Sequence, residues 1–203
     1  MSKIVVITGT TATGKTEFSI ELAAKIDGEI ISADSMMVYK YMDIGTARPS
    51  IEERKGIPHY LIDVVYPNEN FDVKDFVNLA SQKIKEIKEK GKIPIIVGGT
   101  WLYIQSLLYG ISNAPEGNWE IRNELYKEES DVLYGKLKEI DPVYALKIHP
   151  NDKKRIVRAL EVYYISGKPF DLSQPDCNNQ NPPEWLLQWQ ALCSSKTRVS
   201  VLL

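Results

Sequence analysis

The sequence predicts an α/β fold: a parallel sheet with helices on both faces and an all-helical insertion. Three observations carry that expectation. Short β-branched runs alternate with amphipathic helical stretches through residues 1–111. A glycine-rich turn links the first such run to the first helix. Beyond residue 112 the strand signal vanishes and helical patterns follow one another to residue 166.

Residues 3–7 (KIVVI) end in Thr8-Gly9 and read as a buried parallel strand. After the turn, residues 17–26 place Phe18, Ile20, Leu22, Ala23 and Ile26 at helical spacing, and Asp27-Gly28 closes that helix. Residues 29–32 form a second strand, and residues 59–65 (HYLIDVV) a third. Residues 73–90 form a long helix with Phe76, Leu79, Ala80, Ile84 and Ile87 on one face, stopped by Gly91. Residues 93–97 (IPIIV) are a fourth strand, turning through Gly98-Gly99-Thr100 into another helix. In the insertion, residues 120–127, 131–140, 142–148 and 153–166 read as helices. Asn151 or Asp152 caps the last and Gly167 ends it. Residues 173–183 are a loop, and the alternation around residues 185–192 is that of a fifth strand completing the sheet. The expected organisation is therefore an α/β core over residues 1–111, a helical insertion over 112–170, and a last segment over 171–203.

Composition bounds the function classes. Hydrophobic residues at 43% and charged residues at 26% suit a globular chain with a real core. A net charge of -2 supplies no global basic field, so any nucleic-acid contact must come from a local patch. Cys177 and Cys193 lack CxxC spacing and are expected as free thiols in a reducing, cytoplasmic setting. Neither a secretory leader nor a membrane span is expected, because no apolar run is long enough.

Residues 9–16, Gly9-Thr10-Thr11-Ala12-Thr13-Gly14-Lys15-Thr16, fit G-x-x-x-x-G-K-[ST] in full. In such a P-loop, backbone N–H groups curl around phosphate oxygens, the lysine supplies a cation and the Thr16 hydroxyl can ligate Mg²⁺. A chance match in a chain of this length is on the order of one in a hundred. The strand before the motif and the helix after it are the confirming context, and the core is read as P-loop NTPase-like. Asp34 follows the second strand, at the carboxyl edge where ligands lie in open α/β sheets. Its plainer reading is a cap or a surface carboxylate. Thr100, at a third strand end, is expected to point into the same crevice or to cap its helix. Asp63, inside a strand, is a weaker candidate for the surroundings of a metal. Lys154, Arg155 and Arg158 form a basic edge opposite Ile156, Ala159, Leu160 and Tyr163. That edge is either a solvated face or a phosphate-contacting patch. His149 reads as structural.

Taken together, GTTATGKT, EIISADSMMVYKYMDIGTARPS, GIPHYLIDVV, GKIPIIVGGTWLYIQSLLYG and IHPNDKKRIVRALEVYYISGKP resemble the tRNA dimethylallyltransferases, also called tRNA isopentenyltransferases. The resemblance implies transfer of a dimethylallyl group from dimethylallyl diphosphate to N6 of adenine 37, next to the tRNA anticodon. It implies Mg²⁺ as cofactor and the tRNA anticodon stem–loop as partner for a cytoplasmic monomer. Asp34 would be general base, with Lys15 and Thr100 at the transfer site and Thr16 on the metal. Asp34, Ser35, Met36 and Met37 would touch the flipped adenosine beside Thr100. Arg122 and the run Lys154, Arg155, Ile156, Val157 and Arg158 match positions that meet tRNA. The match fades after Trp189. Competing functions are a small-molecule P-loop kinase, an adenylate isopentenyltransferase and a non-catalytic nucleotide- or RNA-binding remnant.

Overall fold

The computed structural model describes residues 4–43, 45–46, 48–111, 114–170, 192–193 and 200–202. Two compact units emerge: Met1–Gly110 with Asn181–Leu203, and Ile111–Gln180.

The first unit is built on a sheet of strands β1 (Val5–Thr8), β2 (Gly28–Ser32), β3 (His59–Tyr60), β4 (Ile93–Gly98), β5 (Leu192–Cys193) and β6 (Ser200–Leu202), in the order β3-β2-β4-β1-β6-β5. Strands β1 to β4 are parallel, with Val5 opposite Ile95 and Ile31 opposite Ile96. Alternate side chains of these strands serve opposite faces. Val5, Ile7, Ile30 and Ile95 pack with Ile20 and Ala23 of α1 (Lys15–Ile26). Ile4, Val6, Ile31 and Ile96 pack with Phe76, Ala80 and Ile87 of α2 (Val73–Glu89) and with Tyr103, Ile104 and Leu108 of α3 (Trp101–Tyr109). Burial on both faces explains why these strands read as continuous apolar runs.

Two expectations about the sheet need correction. The third strand stops at Tyr60, because Leu61 (φ 60°) and Asp63 (φ 56°) occupy the left-handed region and break the extended chain. Only Val65 returns to pair, as an isolated parallel bridge to Tyr39. The edge beyond β1 is antiparallel: β6 runs against β1, with Val6 opposite Leu202, and β5 against β6. A parallel return needs a crossover of about a dozen residues or more, and the link between β5 and β6 is far shorter. Residues 185–191 of the expected fifth strand lie outside the described residues.

The second unit holds helices α4 (Trp119–Tyr126), α5 (Ser130–Ile140), α6 (Pro142–Ala145) and α7 (Lys153–Ser166). Leu125, Leu133, Leu137, Ala145, Ile156, Val157, Ala159 and Leu160 form its core. Each end of α7 is fixed locally. The Asp152 carboxylate accepts from the Arg155 N–H, and Gly167 closes the helix at φ 68°, which glycine adopts without cost. No helix among the described residues is long and apolar enough to cross a membrane.

Candidate functional site

The carboxyl ends of β1, β2 and β4 converge on a cavity of about 430 Å³ within the first unit. Thr11, Ala12, Thr13, Gly14, Lys15 and Thr16 form one wall, and Ser32, Asp34, Met36 and Met37 another. The loop after β1 bends through left-handed Ala12 (φ 63°) and Gly14 (φ 78°), then enters α1 with no side-chain cap on its first turn. That turn keeps backbone N–H groups without helical partners, which favour an anion. Thr13 Oγ1 and Lys15 Nζ both donate to the Thr10 carbonyl, at 2.8 and 2.6 Å, and tie the loop together. Burial lowers the Lys15 pKa, and the negative charge of Asp34 opposes that shift. Gly9 and Thr10 shape the loop without lining the cavity.

Asp34 is positioned by a backbone approach that only glycine allows. A Cβ on Gly98 would lie 2.0 Å from the Ala33 carbonyl oxygen. With no side chain there, the chain closes on itself: the Ala33 N–H donates to Val97 (2.7 Å) and the Thr100 N–H to Ala33 (3.2 Å). Asp34 then turns, its Oδ1 accepting from the N–H groups of Met36 (2.8 Å) and Met37 (3.3 Å). Oδ2 takes no hydrogen bond among the described residues. Thr100 caps nothing on its own helix and does not line the cavity. Its Oγ1 instead accepts from the Ser35 N–H at 3.0 Å and lies 3.3 Å from Ser35 Oγ, pinning the Asp34 turn from behind.

Gly45, Thr46, Pro49, His59 and Ile62 also line the cavity, and the sequence reading assigned none of them a role. His59 Nδ1 lies 2.8 Å from the Ile57 carbonyl, while Nε2 is buried without a partner. Burial pulls its pKa below the usual histidine value; the Ile57 carbonyl resists and nearby Arg54 adds to the fall. Asp63 is taken by Arg48, which also holds Asp43.

In the second unit the basic residues sort differently from the sequence expectation. Glu161 is fully buried and accepts from Arg122 Nε (2.9 Å), Arg158 Nη1 (2.5 Å) and the Asn118 N–H (2.5 Å). Arg158 Nη2 donates to the Pro115 carbonyl at 2.7 Å. Burial alone would raise the Glu161 pKa. The hydrogen bonds from Arg158, Arg122 and Asn118 together outweigh it, and the pKa falls. Ile156 and Val157 are core residues, so their side chains have no surface to offer RNA. Arg155 pairs with Asp152, and Lys154 stands exposed. His149 is also exposed, and its Nδ1 accepts from the Asn151 N–H at 3.2 Å.

The complete phosphate loop on a strand-to-helix turn, with a carboxylate at the neighbouring strand end, defines a P-loop α/β protein. The chain belongs to the IPP transferase family, whose model matches residues 37–199. It is 64% identical over 167 residues to a tRNA dimethylallyltransferase of Sulfurihydrogenibium sp., covering 82% of this chain and 54% of that protein. It is 60% identical over 172 residues to one from Aquifex aeolicus, covering 83% and 56%. Among solved structures it is similar to a tRNA isopentenylpyrophosphate transferase from Bacillus halodurans, with TM-score 0.55 and 43% identity over 84% of this chain and 58% of that one. A eukaryotic dimethylallyltransferase described as acting on tRNA superposes with TM-score 0.73 and 38% identity, over 90% of this chain and 46% of that one. The chain spans about half the length of the curated relatives it matches.

Proposed function

We propose that this chain transfers a dimethylallyl group from dimethylallyl diphosphate to N6 of adenine 37 in tRNA. One observation carries the reading: a single cavity presents a phosphate loop, Thr11 to Thr16, and the free carboxylate oxygen of Asp34. The diphosphate lies along the loop, where Lys15 and the first-turn N–H groups of α1 oppose its charge as the allylic C–O bond breaks. The N6 nitrogen forms the new C–N bond and gives its proton to Asp34 Oδ2. Oδ1 is occupied by two N–H groups, which fixes the direction of Oδ2. An adenine reaches such a cavity only after leaving its stack.

The donors present suit Mg²⁺. Thr16 offers a hard hydroxyl oxygen at the phosphate loop, and no group of three or more His, Cys, Asp or Glu side chains gathers into a metal cage among the described residues. An ion with few protein ligands, completed by diphosphate and water, is the habit of Mg²⁺. When bound it neutralises the leaving diphosphate. On this reading the protein works as a cytoplasmic monomer.

The test incubates the chain with dimethylallyl diphosphate, Mg²⁺ and an anticodon stem–loop carrying adenine 37, and follows the prenyl mass gain of the RNA. Adenosine monophosphate replaces the RNA in a parallel arm. Transfer to the RNA alone is expected. Transfer to the mononucleotide alone would make the chain an adenylate isopentenyltransferase. Asp34→Asn keeps the turn and the shape, so donor binding should survive while turnover falls by about 10²-fold or more. Turnover near wild type would remove Asp34 as the base.

A further inference from the structure

We propose that Tyr41 is a stacking platform for an unpaired nucleotide of the RNA acceptor, next to the base that enters the cavity. The proposal rests on the RNA-prenylating reading above. Both ends of one loop line the cavity, Met36 and Met37 at its start and Gly45, Thr46 and Pro49 at its end. Tyr41 lies between them. Its φ is +64°, a conformation that bulky side chains adopt only under constraint.

The constraint is visible on both sides. Before Tyr41, the Lys40 N–H donates to Val65 at 2.8 Å and Tyr39 bridges the same residue. After it, Asp43 is held by Arg48 at 2.5 Å, and Arg48 is anchored on Asp63. The fold thus fixes Tyr41 in strained backbone, yet leaves it 77% exposed. Glycine suits such a backbone better, and the packing gains little from an exposed ring. The surroundings specify what the ring fits. Its centroid is 6.1 Å from that of Tyr66 at an interplanar angle of 42°, and Lys40 Nζ sits 3.9 Å over the Tyr66 ring. A π face beside a cation matches a nucleobase and its phosphate, the pairing that single-strand binders use. Lys40 and Asp43, on either side of Tyr41 in the chain, are charged and suit a nucleotide more than an apolar protein face.

The experiment uses the full chain, Tyr41→Gly and Tyr41→Phe. Affinity for a labelled anticodon stem–loop is read by fluorescence anisotropy, dimethylallyl diphosphate binding by calorimetry, and Tm and sedimentation alongside. Glycine takes positive φ freely, so Tyr41→Gly should keep or raise Tm and leave donor affinity unchanged. Its RNA Kd should rise about 5- to 100-fold, while Tyr41→Phe stays within about twofold of wild type. Unchanged RNA affinity in Tyr41→Gly overturns the platform. So does a joint loss of Tm, donor binding and RNA binding, which marks a structural residue. Concentration-dependent self-association abolished in Tyr41→Gly assigns the ring to a second copy instead. No RNA binding by the wild-type chain overturns the proposed function and the platform with it, whereas wild-type binding matched by Tyr41→Gly overturns the platform alone.

Discussion

Replacing Glu161 with alanine removes a buried carboxylate that faces two guanidinium groups in the helical unit. Arg122 and Arg158 both lose a charged partner, and the Asn118 N–H loses its acceptor. Breaking a buried ion pair from one side costs about 3–5 kcal/mol, because the remaining charge stays desolvated. For a chain of this size each kcal/mol shifts Tm by about 2–4 °C, so the expected loss is about 6–20 °C. Glu161→Gln keeps the shape and an acceptor but turns an amide N–H₂ toward a guanidinium, so its Tm should fall between those of wild type and Glu161→Ala. Arg155→Gln, which breaks only the exposed pair with Asp152, is the control and should cost about 0–1 kcal/mol. Acid titration supplies a second readout. The folded pKa of Glu161 is depressed, so its contribution is complete above the unfolded value of about 4.3 and is lost as pH falls through the folded value. Wild type should therefore lose stability on acidification more steeply than Glu161→Gln. Circular dichroism melts across pH measure both effects. If Glu161→Ala melts with the Arg155→Gln control, the carboxylate is not holding the two arginines and the reasoning fails.

Two further outcomes follow from the same geometry. Lys15→Ala should weaken dimethylallyl diphosphate binding about 30-fold or more by calorimetry, since a partly buried ammonium facing phosphate is lost; an unchanged Kd removes the P-loop from donor binding. Lys154→Gln should flatten the salt dependence of stem–loop binding by about one charge without lowering Tm, whereas Arg158→Gln should chiefly destabilise, and a reversed ranking would return Arg158 to the RNA surface.

What the sequence made legible depended on how local the cause was. The P-loop, the strands flanking it and both ends of α7 follow from neighbouring residues: Asp152 supplies a cap, Gly167 a left-handed turn, and the apolar spacing does the rest. The third strand failed for a non-local reason. HYLIDVV has strand composition, but Asp63 is drawn to Arg48, fifteen positions away, and the chain turns at Leu61 and Asp63. Thr100 reads as a cap from its place before α3, while its hydroxyl meets Ser35 across 65 residues of sequence. The basic edge reads as open from the apolar residues opposite it, while its arginines are in fact taken by carboxylates, Arg155 by Asp152 and Arg158 by Glu161. A signal was present: Glu161 lies three positions after Arg158, between Leu160 and Val162, where a free carboxylate has no reason to be.

That pairing changes how RNA attraction is distributed. In the helical unit Arg122 and Arg158 share Glu161, Arg155 faces Asp152, Lys136 faces Glu128 and Lys127 faces Glu124. Lys153 spends its ammonium on the carbonyls of Tyr126 and Glu128. One hollow of about 590 Å³ on this unit is lined by Glu120, Glu124 and Glu128 with no lysine or arginine in its wall, so it offers a phosphate chain no cation. With an overall charge of -2, the sequence-independent pull on RNA is small. On the proposed reading this bears on selectivity. Non-specific RNA binding is mostly electrostatic, so a weak field leaves few unproductive complexes. The discriminating step then becomes entry of one unpaired adenine into a cavity of about 430 Å³, where the Asp34 turn is held by Gly98 and Thr100 and the phosphate loop waits on the opposite wall.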